Sequence, residues 1–219
     1  MGVQVKVCGL NSLEAAEAAA RARADFAGLM FFPPSPRHVT SDQARGLAAR
    51  LRGGPRIVAV LVDPDDATLA EAIAASSPDF IQLHGKETPE RVHHIAATFG
   101  RKIIKALPVA DAGDLARAHA YEDAAEYLLF DAKAPELSTR PGGHGAAFDW
   151  KILSPASFKR PWFLAGGLSA DNVARAIRVS GAELVDTSSG VEDALGRKNS
   201  EKIAAFIDAA RNAALSVTP

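Results

Sequence analysis

The chain has 219 residues, 47% of them hydrophobic, which is enough to bury a full core. Lys plus Arg (25) nearly balance Asp plus Glu (26), and the formal charge of -1 gives no electrostatic reason to expect a nucleic-acid partner. A single cysteine, Cys8, excludes an intrachain disulfide, and the apolar runs, such as Phe26 to Pro34, are too short to span a bilayer.

The N-terminal MGVQVKVCGL passes directly into strand-like alternation, with no basic region followed by a long apolar stretch. A cytoplasmic protein with no membrane partner is expected. Val3–Cys8 reads as the first strand and Ser12–Arg23 as the first helix, with Ser12 as a cap and Glu14 close behind. The same alternation then repeats along the chain. Strand Phe26–Phe32 precedes helix Ser41–Leu51, where Ser41 is the expected cap. Strand Ile57–Val62 precedes helix Asp66–Ala75, and strand Phe80–His84 precedes helix Pro89–Phe99. Strand Ile103–Leu107 leads to helix Asp111–Ala120, and strand Tyr127–Asp131 to a short helix over Asp149–Leu153. Strand Trp162–Ala165 leads to helix Ser169–Val179, capped by Ser169, and strand Leu184–Thr187 to helix Ser200–Ala213. Eight strand–helix units in about 215 residues predict an α/β fold, a (β/α)8 TIM barrel forming one domain over residues 1–219. An open nucleotide-binding sheet would want a GxGxxG turn after the first strand, and CGLNS is not that turn. The longest irregular stretch, Ala134 to Phe148, is rich in Pro and Gly and reads as a functional loop.

In such a barrel the chemistry sits where strands end. Alternation places Lys6 and Cys8 on one face of strand 1, the apolar Val5 and Val7 on the other, so Lys6 and Cys8 should look inward. Taken alone, Cys8 reads first as a small buried hydrophobe. An inward ammonium two residues earlier is expected to lower its thiol pKa and favour the thiolate. Asp131 closes strand 6 on the inner face; it would otherwise be a turn cap, but AKAPE offers no helix to cap. On strand 4, Gln82 and His84 share a face, and a lone strand-end histidine is more often structural than catalytic. Arg37 lies in the proline-stiffened FFPPSPRHV, either as a solvated loop charge or as a partner for an anionic substrate group.

The loops after strands 7 and 8 contain Gly166-Gly167 and Ser188-Ser189-Gly190. Each is a weak motif singly; together, in those two loops, they point to a phosphate held by backbone N–H groups. Neither loop contains Lys or Arg. Gln82, Lys105 and Asp186 are expected to face the interior near Lys6 as a mutually bonded polar layer. Gln82, His84 and Asp186 thus join Arg37 as candidate substrate-contacting residues.

The segments KVCGLN, FPPSPRHV, QLHG, LLFDAK, GGHGAAFDW, AGGLSADNV and VDTSSGVE, taken in order, resemble the phosphoribosylanthranilate isomerase family from about residue 4 to residue 210. The resemblance implies an isomerase of tryptophan biosynthesis acting on a small phosphorylated substrate, without cofactor or metal, as monomer or homodimer. It implies Cys8 as general base, Asp131 as general acid, and Arg37 as a contact for the anthranilate carboxylate. It makes Gly166, Gly167, Ser188, Ser189 and Gly190 the phosphate cradle. The implied reaction is an Amadori rearrangement, in which the acid opens the furanose ring and the base removes the C2′ proton. Two positions depart from the family pattern. His144 replaces the usual Thr or Ser of GGTG, and Lys198 is followed by Asn199 where Asp is common, a pair that touches no proposed catalytic role.

Other readings are a pentose-phosphate epimerase, an indole-glycerol-phosphate synthase type, or a non-catalytic phosphate-binding barrel. The epimerase would want metal-binding His and Asp at several strand ends. The synthase would want catalytic lysines with a carboxylate, for which Lys6 and Lys105 are only superficially suited, and an extension ahead of strand 1. The binder would have no use for an inward Cys opposite an inward Asp.

Overall fold

A computed structural model describes residues 2–133, 148–154 and 157–215. Eight parallel strands close on themselves: β1 (Gln4–Cys8), β2 (Phe26–Met30), β3 (Arg56–Leu61), β4 (Phe80–Leu83), β5 (Lys102–Val109), β6 (Tyr127–Ala132), β7 (Trp162–Leu164) and β8 (Leu184–Thr187). The ring is completed by β8 pairing with β1, which sets Lys6 opposite Asp186 on one side and opposite Phe26 on the other. Closure leaves no open edge in the barrel, so its strands can be short and apolar.

Around the strands lie α1 (Leu13–Arg21), α2 (Ser41–Leu51), α3 (Asp66–Ser76), α4 (Pro89–Phe99), α5 (Ala112–Ala116), α6 (Val173–Ser180) and α7 (Ser200–Leu215). The expected fifth helix is divided, since α5 passes into a 3-10 segment over Arg117–Tyr121. Between β6 and β7 the short helix is a 3-10 turn, Trp150–Leu153. The expected functional loop, with His144, falls for residues 134–147 outside the described residues. After β8 come a 3-10 turn, Ser189–Val191, and an antiparallel hairpin of β9 (Glu192–Ala194) and β10 (Arg197–Lys198). Among the described residues no helix is long and apolar enough to cross a membrane.

Ser12 caps α1 as expected, its hydroxyl accepting from Ala15 N at 3.2 Å. For α2 the cap is Thr40, not Ser41, because Thr40 and Gln43 satisfy each other's backbone N–H groups as a capping box. For α6 the helix begins at Val173 and Ser169 is not its cap. Asn172 occupies that position, and its side chain turns back to Ser169 N and Gly167 O instead.

Two packed regions result. Val5, Val7, Leu128 and Phe130 face outward to the helices, while Cys8, Phe26, Val58, Ile104, Leu129 and Phe163 fill the inside. The inward residues that begin β2, β4 and β6 are Phe26, Phe80 and Tyr127. Their rings meet one another edge-on, with centroids 5.6–6.0 Å apart, and Phe163 joins them at 5.1 Å from Phe26. Aromatic surface of this size fills the N-terminal end of the barrel, so the opposite rim is left for chemistry.

Lys105 departs from expectation. Its neighbours Ile104 and Ala106 are the inward residues of β5, so Lys105 points away from the interior and from Lys6. It is buried, and its ammonium donates to Glu87 Oε2 at 2.7 Å, Gly85 O at 2.8 Å and Leu83 O at 3.3 Å. Glu87 also accepts from the backbone N–H groups of Asp63 and Gly85. This pair therefore pins the turn after β4 to β5 from outside the barrel. Lys105→Met leaves a buried carboxylate without its cation and should cost about 3–5 kcal/mol in urea unfolding, of which Lys105→Met with Glu87→Gln should regain a part. An unfolding free energy within error of the unsubstituted chain would show that the pair carries no such burden.

Candidate active site

Strand alternation delivers Cys8, His84 and Asp131 to one rim. Cys8 ends β1 and Asp131 lies at the penultimate position of β6, both facing the interior as expected. They stand three strands apart through β7 and β8. Room beside the thiol comes from Gly28 on β2, where a Cβ would lie 3.0 Å from Cys8 Sγ. Asp131 Oδ1 accepts from Ala132 N at 2.9 Å, and Oδ2 lies 3.4 Å from His84 Nε2. His84 Nδ1 in turn lies 3.0 Å from Gln82 Nε2, so an amide orients an imidazole that faces the carboxyl. Gln82 therefore serves His84 and does not join Lys6.

The polar layer under Cys8 reduces to one ion pair. Lys6 Nζ and Asp186 Oδ1 are 2.9 Å apart, with the Lys6 side chain wholly buried. Burial alone would lower the Lys6 ammonium, but the Asp186 and Cys8 charges outweigh it and hold its pKa above the ordinary value. Burial also pushes the Asp186 carboxyl up; Lys6 opposes that rise and nearby Asp131 adds to it.

The thiol itself moves opposite to the expected direction. Burial pushes the Cys8 pKa up, and the lowering by Lys6 and Lys198 does not recover it, because Asp186 adds a further rise. An adjacent ammonium is already engaged by a carboxylate at contact distance, which cancels much of its field at the sulfur. Burial thus disfavours the thiolate in the resting site, against the two ammonium groups that favour it.

Gly166 and Gly167 follow β7 with φ of +87° and +63°, in the left-handed region that suits glycine. A Cβ on Gly166 would come within 2.6 Å of Ala132 N, so the loop packs directly against the strand end bearing Asp131. Asn172 Nδ2 braces the loop through Gly167 O at 2.8 Å. Facing it is the turn Ser188–Gly190. Gly190 packs on Leu168 O so closely that a Cβ has no space, and Thr187 Oγ1 donates to the same carbonyl at 2.8 Å. The two glycine-bearing loops therefore interlock beside Asp131 and Cys8. Among the described residues no acceptor lies within bonding distance of Gly167 N or Ser189 N.

Two residues with no assigned role in the sequence reading also reach this rim. Lys198, ten residues beyond Ser188 in the chain, donates to Ser188 O at 2.9 Å and Oγ at 3.1 Å. Glu192 takes both Arg37 Nε at 2.7 Å and Arg37 Nη2 at 2.9 Å, so Arg37 is a buried, bidentate ion-pair partner rather than a solvated loop charge. The VDTSSGVE motif contained Glu192, but nothing in its spacing signals that it meets a loop 155 residues away.

Fold and rim together define a (β/α)8-barrel enzyme whose rim gathers a thiol, an imidazole, a carboxyl, two glycine-bearing loops and a buried arginine. The comparisons agree. A family model described as N-(5′-phosphoribosyl)anthranilate (PRA) isomerase matches residues 5–209, and the chain belongs to that family. It is 50% identical over 211 residues to the N-(5′-phosphoribosyl)anthranilate isomerase of Paramagnetospirillum magneticum, covering 96% of this chain and 98% of that one. Among solved structures, the phosphoribosyl anthranilate isomerase from Thermotoga maritima is similar at TM-score 0.86 and 34% identity, over 96% of this chain and 99% of its own. A phosphoribosyl anthranilate isomerase in complex with reduced 1-(o-carboxyphenylamino)-1-deoxyribulose 5-phosphate is similar at TM-score 0.83 and 32% identity, over 96% and 99%.

Because Cys8 is the chain's one thiol, its titration can be read without ambiguity. A raised pKa means that the reactive thiolate becomes the main form only on the alkaline side. Alkylation by iodoacetamide should be slow at neutral pH, with a rate midpoint above the ordinary thiol value of about 8.5. In Lys6→Met the midpoint should move higher still, since the first of the lowering charges is gone. A midpoint below the ordinary value in the unsubstituted chain would overturn this account of the site.

Proposed function

We propose that the chain converts N-(5-phosphoribosyl)anthranilate to 1-(2-carboxyphenylamino)-1-deoxyribulose 5-phosphate, the isomerase step of tryptophan biosynthesis, as one cytoplasmic catalytic domain. The observation that carries this is the placement of Cys8 and Asp131 on one rim, three strands apart and flanked by the Gly166-Gly167 and Ser188–Gly190 loops.

The phosphate lies between those loops, received by backbone N–H groups with the Lys198 charge behind Ser188. The anthranilate carboxylate is received by Arg37, whose Nη1 is not engaged by Glu192. Asp131 as general acid delivers a proton to the furanose oxygen; the C1′–O bond breaks as the nitrogen lone pair forms a C1′ iminium. His84, oriented by Gln82, keeps the Asp131 carboxyl aimed at that oxygen.

The iminium acidifies the C2′ proton. Cys8 as thiolate removes it, and the released electron pair forms the C1′–C2′ double bond and neutralises the nitrogen. The resulting enolamine gives the ketone when C1′ takes up a proton and the C2′ hydroxyl loses one. No outside electron acceptor is required, because the nitrogen serves as the sink. The positive charge that forms on the substrate also favours the thiolate, on top of what Lys6 and Lys198 supply. Asp186 contributes indirectly, by fixing Lys6 beneath the sulfur.

The substrate can be generated in situ and its loss followed by anthranilate-type fluorescence with the protein added. Cys8→Ser and Asp131→Asn should each lower kcat by about 10²–10⁴, with much smaller effects on KM, as expected when a positioned acid or base is removed. Wild-type turnover in Cys8→Ser would transfer the role of base to another group, with His84 the first candidate.

A further inference from the structure

The β9–β10 hairpin completes a charged cluster of which only Lys198 enters the proton transfers above, through its charge near the sulfur. Glu192 accepts from Arg37 through both carboxylate oxygens, and Lys198 Nζ donates to the same Oε1 at 2.7 Å. Gly196 N adds a bond to Oε2 at 3.1 Å. None of the three side chains is more than 5% exposed. One carboxylate thus holds two buried cations, for a net local charge of +1. A structural ion pair needs only one cation, and an extra buried charge is costly. Stability therefore gives no reason for the second.

Each cation extends to a different part of the rim. The Arg37 stem runs along Gly9, the residue after Cys8, so closely that a Cβ there would lie 2.6 Å from Arg37 Cδ. Lys198 grips Ser188 through its carbonyl and hydroxyl, and Ser188 Oγ in turn donates to Cys8 O at 3.1 Å. The hairpin itself is held in place: Asn11 Nδ2 donates to Gly196 O at 2.9 Å and Lys202 Nζ to Glu192 O at 2.8 Å. Gly196, at φ +79°, presses on the Arg37 loop, with Pro36 O 2.6 Å from where a Cβ would stand.

We propose that Glu192 is a positioning residue whose single carboxylate fixes the distance between Arg37, at the carboxylate end of the substrate, and Lys198, behind the phosphate loop. A substrate with an anion at each end is then measured by one rigid span. The inference rests on the isomerase reading above, since it needs a doubly anionic ligand.

The sign of the effect separates positioning from simple electrostatics. Removing the Glu192 charge raises the local positive charge, which by Coulomb attraction alone would tighten the binding of anions. Loss of position weakens it. In Glu192→Gln, KM for the substrate and the inhibition constants of anthranilate and of inorganic phosphate should all rise about tenfold or more, the effect of losing a charge-assisted hydrogen bond, while kcat changes much less. Lys198→Gln should raise the phosphate constant and spare that of anthranilate. Should Glu192→Gln fail to fold, Glu192→Asp shortens the span without changing charge, and Gly196→Val displaces the hairpin while leaving the Glu192, Arg37 and Lys198 side chains unsubstituted. Both should raise KM in the same way, with circular dichroism confirming the fold. Constants that fall or stay unchanged in these variants, with an active parent, would overturn this inference alone. Absence of turnover in the unsubstituted chain would remove the isomerase reading and this inference together.

Discussion

Where β8 closes on β1, Lys6 and Asp186 stand opposite each other in register, and their 2.9 Å ion pair lies inside the barrel. A barrel interior tolerates charge only when it is paired at contact distance. That requirement ties the closing seam to the site. The register that brings Asp186 to Lys6 also brings the loop after β8 to the end of β1, where Ser188 bonds Cys8 O and Lys198 bonds Ser188. The proposed base, the proposed phosphate loop and the late hairpin are thus built on one seam.

The two ends of the barrel have opposite compositions. The aromatic rings of Phe26, Phe80, Tyr127 and Phe163 fill the end where strands begin, and the rim where strands end holds sulfur, imidazole and carboxyl. Burial gives the rim its character as well as its shape. It pushes the Cys8 thiol up against the pull of two ammonium groups, so burial disfavours the thiolate that those groups favour. A substrate that becomes an iminium during the reaction adds positive charge beside the sulfur and further favours the thiolate that the proposed base requires.

Much of this was legible in the chain because each part depends on local pattern. The eight strands and most helices follow from apolar period and caps, and the inward faces of β1, β4 and β6 follow from two-residue alternation. Lys105 shows the limit of that argument. A strand carrying apolar residues on both faces, as in Lys102–Val109, gives alternation no polar side to mark, and the assignment is wrong for every residue if it is wrong for one. The caps of α2 and α6 lie one and three residues from their expected places, because Thr40 closes a capping box with Gln43 and the Asn172 side chain bonds back to the loop before α6, neither of which spacing encodes.

The sequence by itself determined the barrel, the residues at its strand ends and the family, since these rest on short-range periods and on motifs contiguous in the chain. Tertiary structure alone decided the state of the thiol and the partners of the charges. Whether Lys6 activates Cys8 depends on Asp186, 180 residues away, and on burial of all three groups. Whether Arg37 is a loose charge or half of a fixed span depends on Glu192, contributed by the last hairpin. Coulomb energy and desolvation vary with distance through space, and for these groups that distance is set only when β8 has closed on β1.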